Sequence, residues 1–118
     1  MGRLTTHVLD TALGRPAAGI AVALYRIATS GRREKLGDFV THAGGRRGRA
    51  PLGGAALAAG TYELTFAAGA YFDGLGQKLP NPKFLDEVTI RFGIASPEQH
   101  YHVPLLLSPY AYSTYRGS

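Results

Sequence analysis

Short runs in which side chains alternate between two faces recur between turn signals along the whole chain. Alternation with period two is what a half-buried β-strand requires, because successive side chains point to opposite sides of the sheet. Residues 4–10 place Leu4, Thr6 and Val8 on one face and Thr5, His7 and Leu9 on the other. Residues 20–27 offer Ile20, Val22 and Leu24 as a core face, and residues 36–41 form a shorter third run. Pro51-Leu52 opens a short edge strand. Residues 61–67 set Tyr62, Leu64 and Phe66 in line, and residues 84–94, the longest run, do the same with Val88, Ile90, Phe92 and Ile94. The final pair comprises Tyr101–Leu107 and residues 110–115. Glycine- and proline-bearing turns separate these runs: Gly14-Arg15-Pro16, Thr29-Ser30-Gly31, Ala43-Gly44-Gly45-Arg46, Ser96-Pro97-Glu98-Gln99 and Ser108-Pro109. Residues 68–75 break the alternation, and Ala70, Tyr71, Phe72 and Leu75 suit one or two helical turns. Seven or eight strands with one short helix predict a mainly β protein, a two-sheet β-sandwich. With 118 residues, 45% of them hydrophobic, the chain is expected to form a single domain over residues 1–118 around one modest core.

Composition narrows the functional classes. Cysteine is absent, which removes disulfides and thiolate sites and fits a reducing compartment. No apolar run approaches the ~20 residues of a membrane helix, and Met1-Gly2-Arg3-Leu4-Thr5-Thr6 lacks the apolar region of a secretory signal. The expectation is a cytoplasmic protein with no membrane partner. The net charge of +5 owes much to Arg32, Arg33 and Lys35 and to Arg46, Arg47 and Arg49. Both clusters lie among glycines and polar residues, which predicts solvated loops. Neither has interleaved aromatics, and no helix is available to enter a groove, so no nucleic-acid partner is expected. An anionic small molecule is the simpler partner for at least one of these arginines.

The C-terminal pair carries the polar groups that core packing does not explain. In Tyr101–Leu107, Tyr101, Val103, Leu105 and Leu107 share one face, while His102, Pro104 and Leu106 share the other, with His100 at its fringe. In the second run Ala111, Ser113 and Tyr115 lie opposite Tyr112 and Thr114. Histidine, serine and tyrosine in line would each need a hydrogen-bond partner on a core face. One face of this pair is therefore built for something other than core packing.

Several segments together resemble the transthyretin superfamily: Thr5-Thr6-His7-Val8-Leu9-Asp10, the Gly-Arg-Pro-Ala-Ala turn, Ala-Gly-Thr-Tyr-Glu-Leu, Gly-Ala-Tyr-Phe and Phe-Leu-Asp-Glu-Val. The stretch from His100 to Ser118, ending in Tyr115-Arg116-Gly117-Ser118, resembles more narrowly the 5-hydroxyisourate hydrolases, the transthyretin-related enzymes of urate degradation. The resemblance implies a transthyretin-like sandwich and a homotetramer, a dimer of dimers with its sites where the dimers meet. It implies hydrolytic opening of the small molecule 5-hydroxyisourate to 2-oxo-4-hydroxy-4-carboxy-5-ureidoimidazoline. The catalytic residues it implies are His7, His102, the second histidine of His-Tyr-His, and an arginine in the turn after Thr41. Counting forward from Thr41 selects Arg46, and counting backward from Pro51-Leu52 selects Arg47. Arg46 is preferred because it directly follows a glycine. The family's Asp-Gly-Arg turn has glycine in place of aspartate here, a change of turn residue rather than of chemistry.

The implied chemistry has water attack a ring carbonyl while a ring nitrogen leaves. Neutral imidazole can take the water's proton near pH 7, and a guanidinium can hold the developing oxyanion. Ser113, Tyr115, Arg116, Gly117 and Ser118 are expected to bind substrate around this centre, with Arg116 alternatively bracing the terminus. Ser113 has no Ser-His-Asp context, so a covalent nucleophile is not expected. No cofactor is needed. A zinc site built from His7, His100 and His102 is the metal-dependent alternative, and the expected metal complement is none. His42, beside a turn, is expected to be solvated.

Overall fold

The computed structural model describes residues 2–45, 52–53 and 57–117, the pair 52–53 through its backbone. In chain order the elements are β1 (Arg3–Asp10), β2 (Arg15–Pro16), β3 (Ala21–Ile27), β4 (Arg33–Val40), β5 (Leu52–Gly53), β6 (Gly60–Ala67), α1 (Ala68–Gly74), β7 (Glu87–Ile94), β8 (Tyr101–Leu107) and β9 (Tyr112–Thr114). They form two sheets. One has the order β2-β1-β8-β9, with β5 also paired to β1, and the other has the order β4-β3-β6-β7. Within the first sheet β1 and β8 run parallel, with Leu4 opposite Tyr101 and Asp10 opposite Leu107. The remaining pairings in both sheets are antiparallel.

The inner faces of the two sheets make the core. Leu4, Val8, Leu105 and Leu107 from the first sheet meet Val22, Leu24, Tyr62, Leu64 and Phe66 from the second, all at 2% exposure or less. Each such large apolar side chain contributes about 1.5–3 kcal/mol by leaving water. The core faces predicted for residues 4–10, 20–27, 61–67 and Tyr101–Leu107 are buried, although Glu63 and Thr65 of β6 and Pro104 of β8 are buried on the opposite face as well. Helix α1 closes the sandwich by burying Tyr71 and Phe72. The Tyr71 hydroxyl donates to Oδ2 of the buried Asp10 at 2.7 Å, while Asp10 Oδ1 accepts from the backbone of Ala12 and Leu13. Burial, and then this hydrogen bond, pushes the Tyr71 phenol up to about 12.

Four expectations are corrected. Arg33 and Lys35 lie in a strand rather than a solvated loop, because β4 begins at Arg33 instead of residue 36. As the outer edge of its sheet, β4 can carry charges that a central strand could not, and Arg33 is held by the Tyr25 ring beneath its guanidinium. The run at residues 84–94 is shorter than its pattern. Strand β7 starts at Glu87, leaving it as long as β1, β4 and β6, since the Asp86 carbonyl accepts from Gly69 of α1 instead of joining a ladder. The final run contracts to Tyr112–Thr114, because Ser108 and Ala111 bond to each other across Pro109 and Tyr110. Finally, Arg15 and Pro16 belong to a two-residue strand beyond the turn at Gly14.

Candidate active site

The outer face of the first sheet gathers the polar groups. Facing residues of a ladder point to the same side, and β1 and β8 set Thr5 opposite His102, His7 opposite Pro104 and Leu9 opposite Leu106. Strand β9 adds Ser113 opposite Leu106. His7 and His102 are thus diagonal neighbours on one surface, each half-buried, while Thr6 and Val103 from the same strands point inward and are buried. Pro104 interrupts the donors of β8, and its carbonyl accepts the Thr114 hydroxyl at 2.7 Å.

His102 is held from two sides. Its Nδ1 lies 2.7 Å from Thr5 Oγ1. On the other side the C-terminal tail crosses it. Gly117 forms an antiparallel bridge with His102, and its N–H donates to the His102 carbonyl at 2.7 Å. A β-carbon at Gly117 would stand 2.6 Å from His102 Cδ2, so the backbone can lie against this ring only where there is no side chain. The tail keeps the register of β9. Tyr115 falls on the side of His102 and is exposed. Arg116 falls on the opposite side, with its guanidinium 4.2 Å from the Tyr101 ring centroid and Nη2 donating to Gln99 Oε1 and to the His100 carbonyl. His100 lies before β8 and meets the tail through this carbonyl.

The turn before the arginine-rich segment is anchored at the same place. Thr41 is buried, accepts from Ile20 N–H and donates to the Ala17 carbonyl. From there the chain reaches Gly45, whose carbonyl accepts from Val8 N–H at 3.0 Å. Gly45 has φ +75°, and a β-carbon there would meet Val8 O at 2.5 Å and His7 Cδ2 at 3.0 Å. Gly45 therefore packs on His7, one residue before Arg46 in sequence. Arg46 and Arg47, and likewise Ser118, lie outside the described residues. His42 sits in the same turn, where its Nδ1 accepts from Gly44 N–H. Among the described residues no three His, Asp or Glu side chains converge as metal ligands, and no helix is long and apolar enough to cross a membrane.

The structure thus brings His7, His102, Ser113, Tyr115 and Gly117 to one face and turns Arg116 away from it. Two supports were not foreseen in the sequence. Thr5 shares the parity of His7, but its contact with His102 depends on the parallel pairing of strands from opposite ends of the chain. Gly45 was read only as a turn residue, whereas its lack of a side chain also admits His7.

Comparison with known proteins identifies the family. The sequence matches the HIUase/Transthyretin family over residues 4–117. A curated 5-hydroxyisourate hydrolase of Mesorhizobium japonicum is 62% identical over 117 residues, spanning 99% of this chain and 93% of that relative. The solved structure of Klebsiella pneumoniae 5-hydroxyisourate hydrolase superposes with a TM-score of 0.81 at 40% identity, covering 100% of both chains. The crystal structure of (S)-allantoin synthase superposes with a TM-score of 0.91 at 46% identity, covering 99% of this chain but 44% of that one.

Proposed function

The chain belongs to the HIUase/Transthyretin family, and from that premise we propose that it hydrolyses 5-hydroxyisourate to 2-oxo-4-hydroxy-4-carboxy-5-ureidoimidazoline, a step in urate degradation. The relative at 62% identity is named for this hydrolase activity. The observation that carries the assignment to this face is the His102 ring, fixed between Thr5 and Gly117 and set diagonally to His7.

In the proposed reaction a neutral imidazole takes a proton from water as the water oxygen bonds to the ring carbonyl carbon. The carbon–nitrogen bond then breaks, and the imidazolium returns its proton to the departing nitrogen. His102 is the base and His7 orients the water. Positioned proton transfer of this kind contributes roughly a hundredfold to ten-thousandfold. Arg46 is assigned to the oxyanion, with Ser113, Tyr115, Gly117 and Ser118 lining the substrate. Arg116, stacked on Tyr101, braces the tail that carries Tyr115 and Gly117.

The proposed assembly is a homotetramer, a dimer of dimers in which first-sheet outer faces meet. Both β7 and β9 are edge strands, and a groove of about 250 Å³ opens between them along Ile90, Phe92, Val103 and Thr114. Phe84 and Tyr110 pair their rings on the surface at 72% and 58% exposure, an apolar patch suited to a second copy. The assay is direct: urate oxidase generates hydroxyisourate from urate, and the protein should accelerate the decay of its ultraviolet absorbance. No acceleration over the spontaneous decay would reject the function.

A further inference from the structure

We propose that Thr5 is a positioning residue that sets the working tautomer of His102: its hydroxyl oxygen accepts the Nδ1 proton, leaving the Nε2 lone pair for the proton of water. This rests on the hydrolysis assigned above. Thr5 and His102 face each other across the β1–β8 ladder, and Oγ1 lies 2.7 Å from Nδ1. A hydroxyl can donate or accept, so the distance alone fits either direction. The chemistry separates them. If the hydroxyl donated, Nε2 would carry the ring's proton and could not act as base. If it accepts, Nε2 is basic, and the imidazolium formed when it takes a proton keeps the acceptor its Nδ1–H already has. On the Nδ1 side no group need move during the transfer.

The surroundings keep the ring in this pose. Gly117 lies against the Cδ2 edge, so turning the ring over would put a carbon on the Thr5 hydroxyl and remove the contact. Thr5 is β-branched, which restricts its χ1 and so the position of the hydroxyl. Among the described residues, the titratable or charged groups on the elements around the ring are Arg3 and His7 on the same face of β1, His100 and Tyr101 at the start of β8, and Tyr115 and Arg116 in the tail. Arg46, Arg47 and the Ser118 end of the chain lie outside the described residues.

The test compares Thr5→Val, which keeps shape and removes the hydroxyl, with Thr5→Ser, which restores it. In Thr5→Val, kcat should fall at least about tenfold, a part of what a positioned base supplies, with KM little changed if Thr5 acts through the His102 ring, as proposed. A hydrogen bond to the charged form favours that form, so losing it lowers the His102 pKa. The acid limb of kcat/KM should then move to lower pH, a shift that a general loss of stability would not produce. Thr5→Ser should recover both rate and limb. Imidazole nitrogen NMR supplies a readout independent of turnover: neutral His102 should carry its proton on Nδ1 in the wild type and shift toward Nε2–H in Thr5→Val. A wild-type ring protonated on Nε2 would overturn the proposal, as would a Thr5→Val enzyme with unchanged kcat and acid limb. If the wild type itself leaves hydroxyisourate untouched, the functional assignment fails, and the tautomer measurement still decides the role of Thr5.

Discussion

The outer faces of the two sheets are both rich in polar groups, and they satisfy them in opposite ways. On the second sheet Glu63 is buried, with its side chain 8% exposed, and is neutralised from within. Arg91 approaches Oε2 at 2.7 Å through both Nε and Nη2, and Arg33 approaches Oε1 at 3.2 Å. Arg33 also stacks on Tyr25, and Thr65 pairs with Thr89. Charge meets charge inside the sheet. On the first sheet, the imidazole of His102 is steadied by a hydroxyl and crossed by a glycine backbone, and His7 is packed by Gly45. These contacts orient the rings through a hydroxyl and glycine backbone, which suits the acid–base role proposed for them. A polar outer face is therefore not a site by itself; the supports described on the first sheet are a hydroxyl and glycine backbone, whereas those on the second are ion pairs.

The comparison predicts separable losses. The largest effect belongs to the imidazoles. His102→Ala and His7→Ala should each lower hydroxyisourate turnover by roughly a hundredfold to ten-thousandfold. Both rings are outside the core, so thermal unfolding should change little. Near wild-type turnover in either variant would break the paired-histidine account. Next comes the arginine register. Lysine keeps the charge but loses the planar fork, so Arg46→Lys should cut turnover substantially while Arg47→Lys stays close to wild type. Reversed effects would assign the role to Arg47, and two silent variants would remove this turn from the chemistry.

A smaller loss is expected from Gly117→Ala. Its new methyl group must displace the tail or the His102 ring, so turnover should drop about tenfold while calorimetry shows an unchanged core transition; full activity would mean the tail does not hold the ring. The smallest activity effect belongs to the other sheet. Arg91→Met should cost about 1 kcal/mol of stability, because the Arg91 side chain is 56% exposed and Arg33 still pairs with Glu63. Its turnover should be that of the wild type. A turnover loss comparable with that of His102→Ala would erase the distinction between the faces.

Much of the candidate site face was legible in sequence because strand parity is local. Alternation alone separated His7 from Val8 and His102 from Val103, and burial follows that division. What could not be read locally was which strands meet. The contact of Thr5 with His102 requires β1 and β8 to be parallel neighbours in a fixed register, a property of the chain's path rather than of either strand. The same holds for Arg116, whose position over Tyr101 follows from the tail continuing past β9 to bridge His102. Charge misled the reading of β4, where Arg33 and Lys35 look like loop residues but occupy an edge strand that tolerates them.

The central claim, that reaction takes place on the first sheet's outer face, is tested most directly by NMR titration with a purine-like ring that resembles hydroxyisourate but is not hydrolysed. Chemical shift changes should concentrate at Thr5, His7, His102, Ser113 and Gly117 and leave Tyr25, Glu63 and Thr65 undisturbed. Saturable changes centred on the second sheet, with the first sheet silent, would contradict the account.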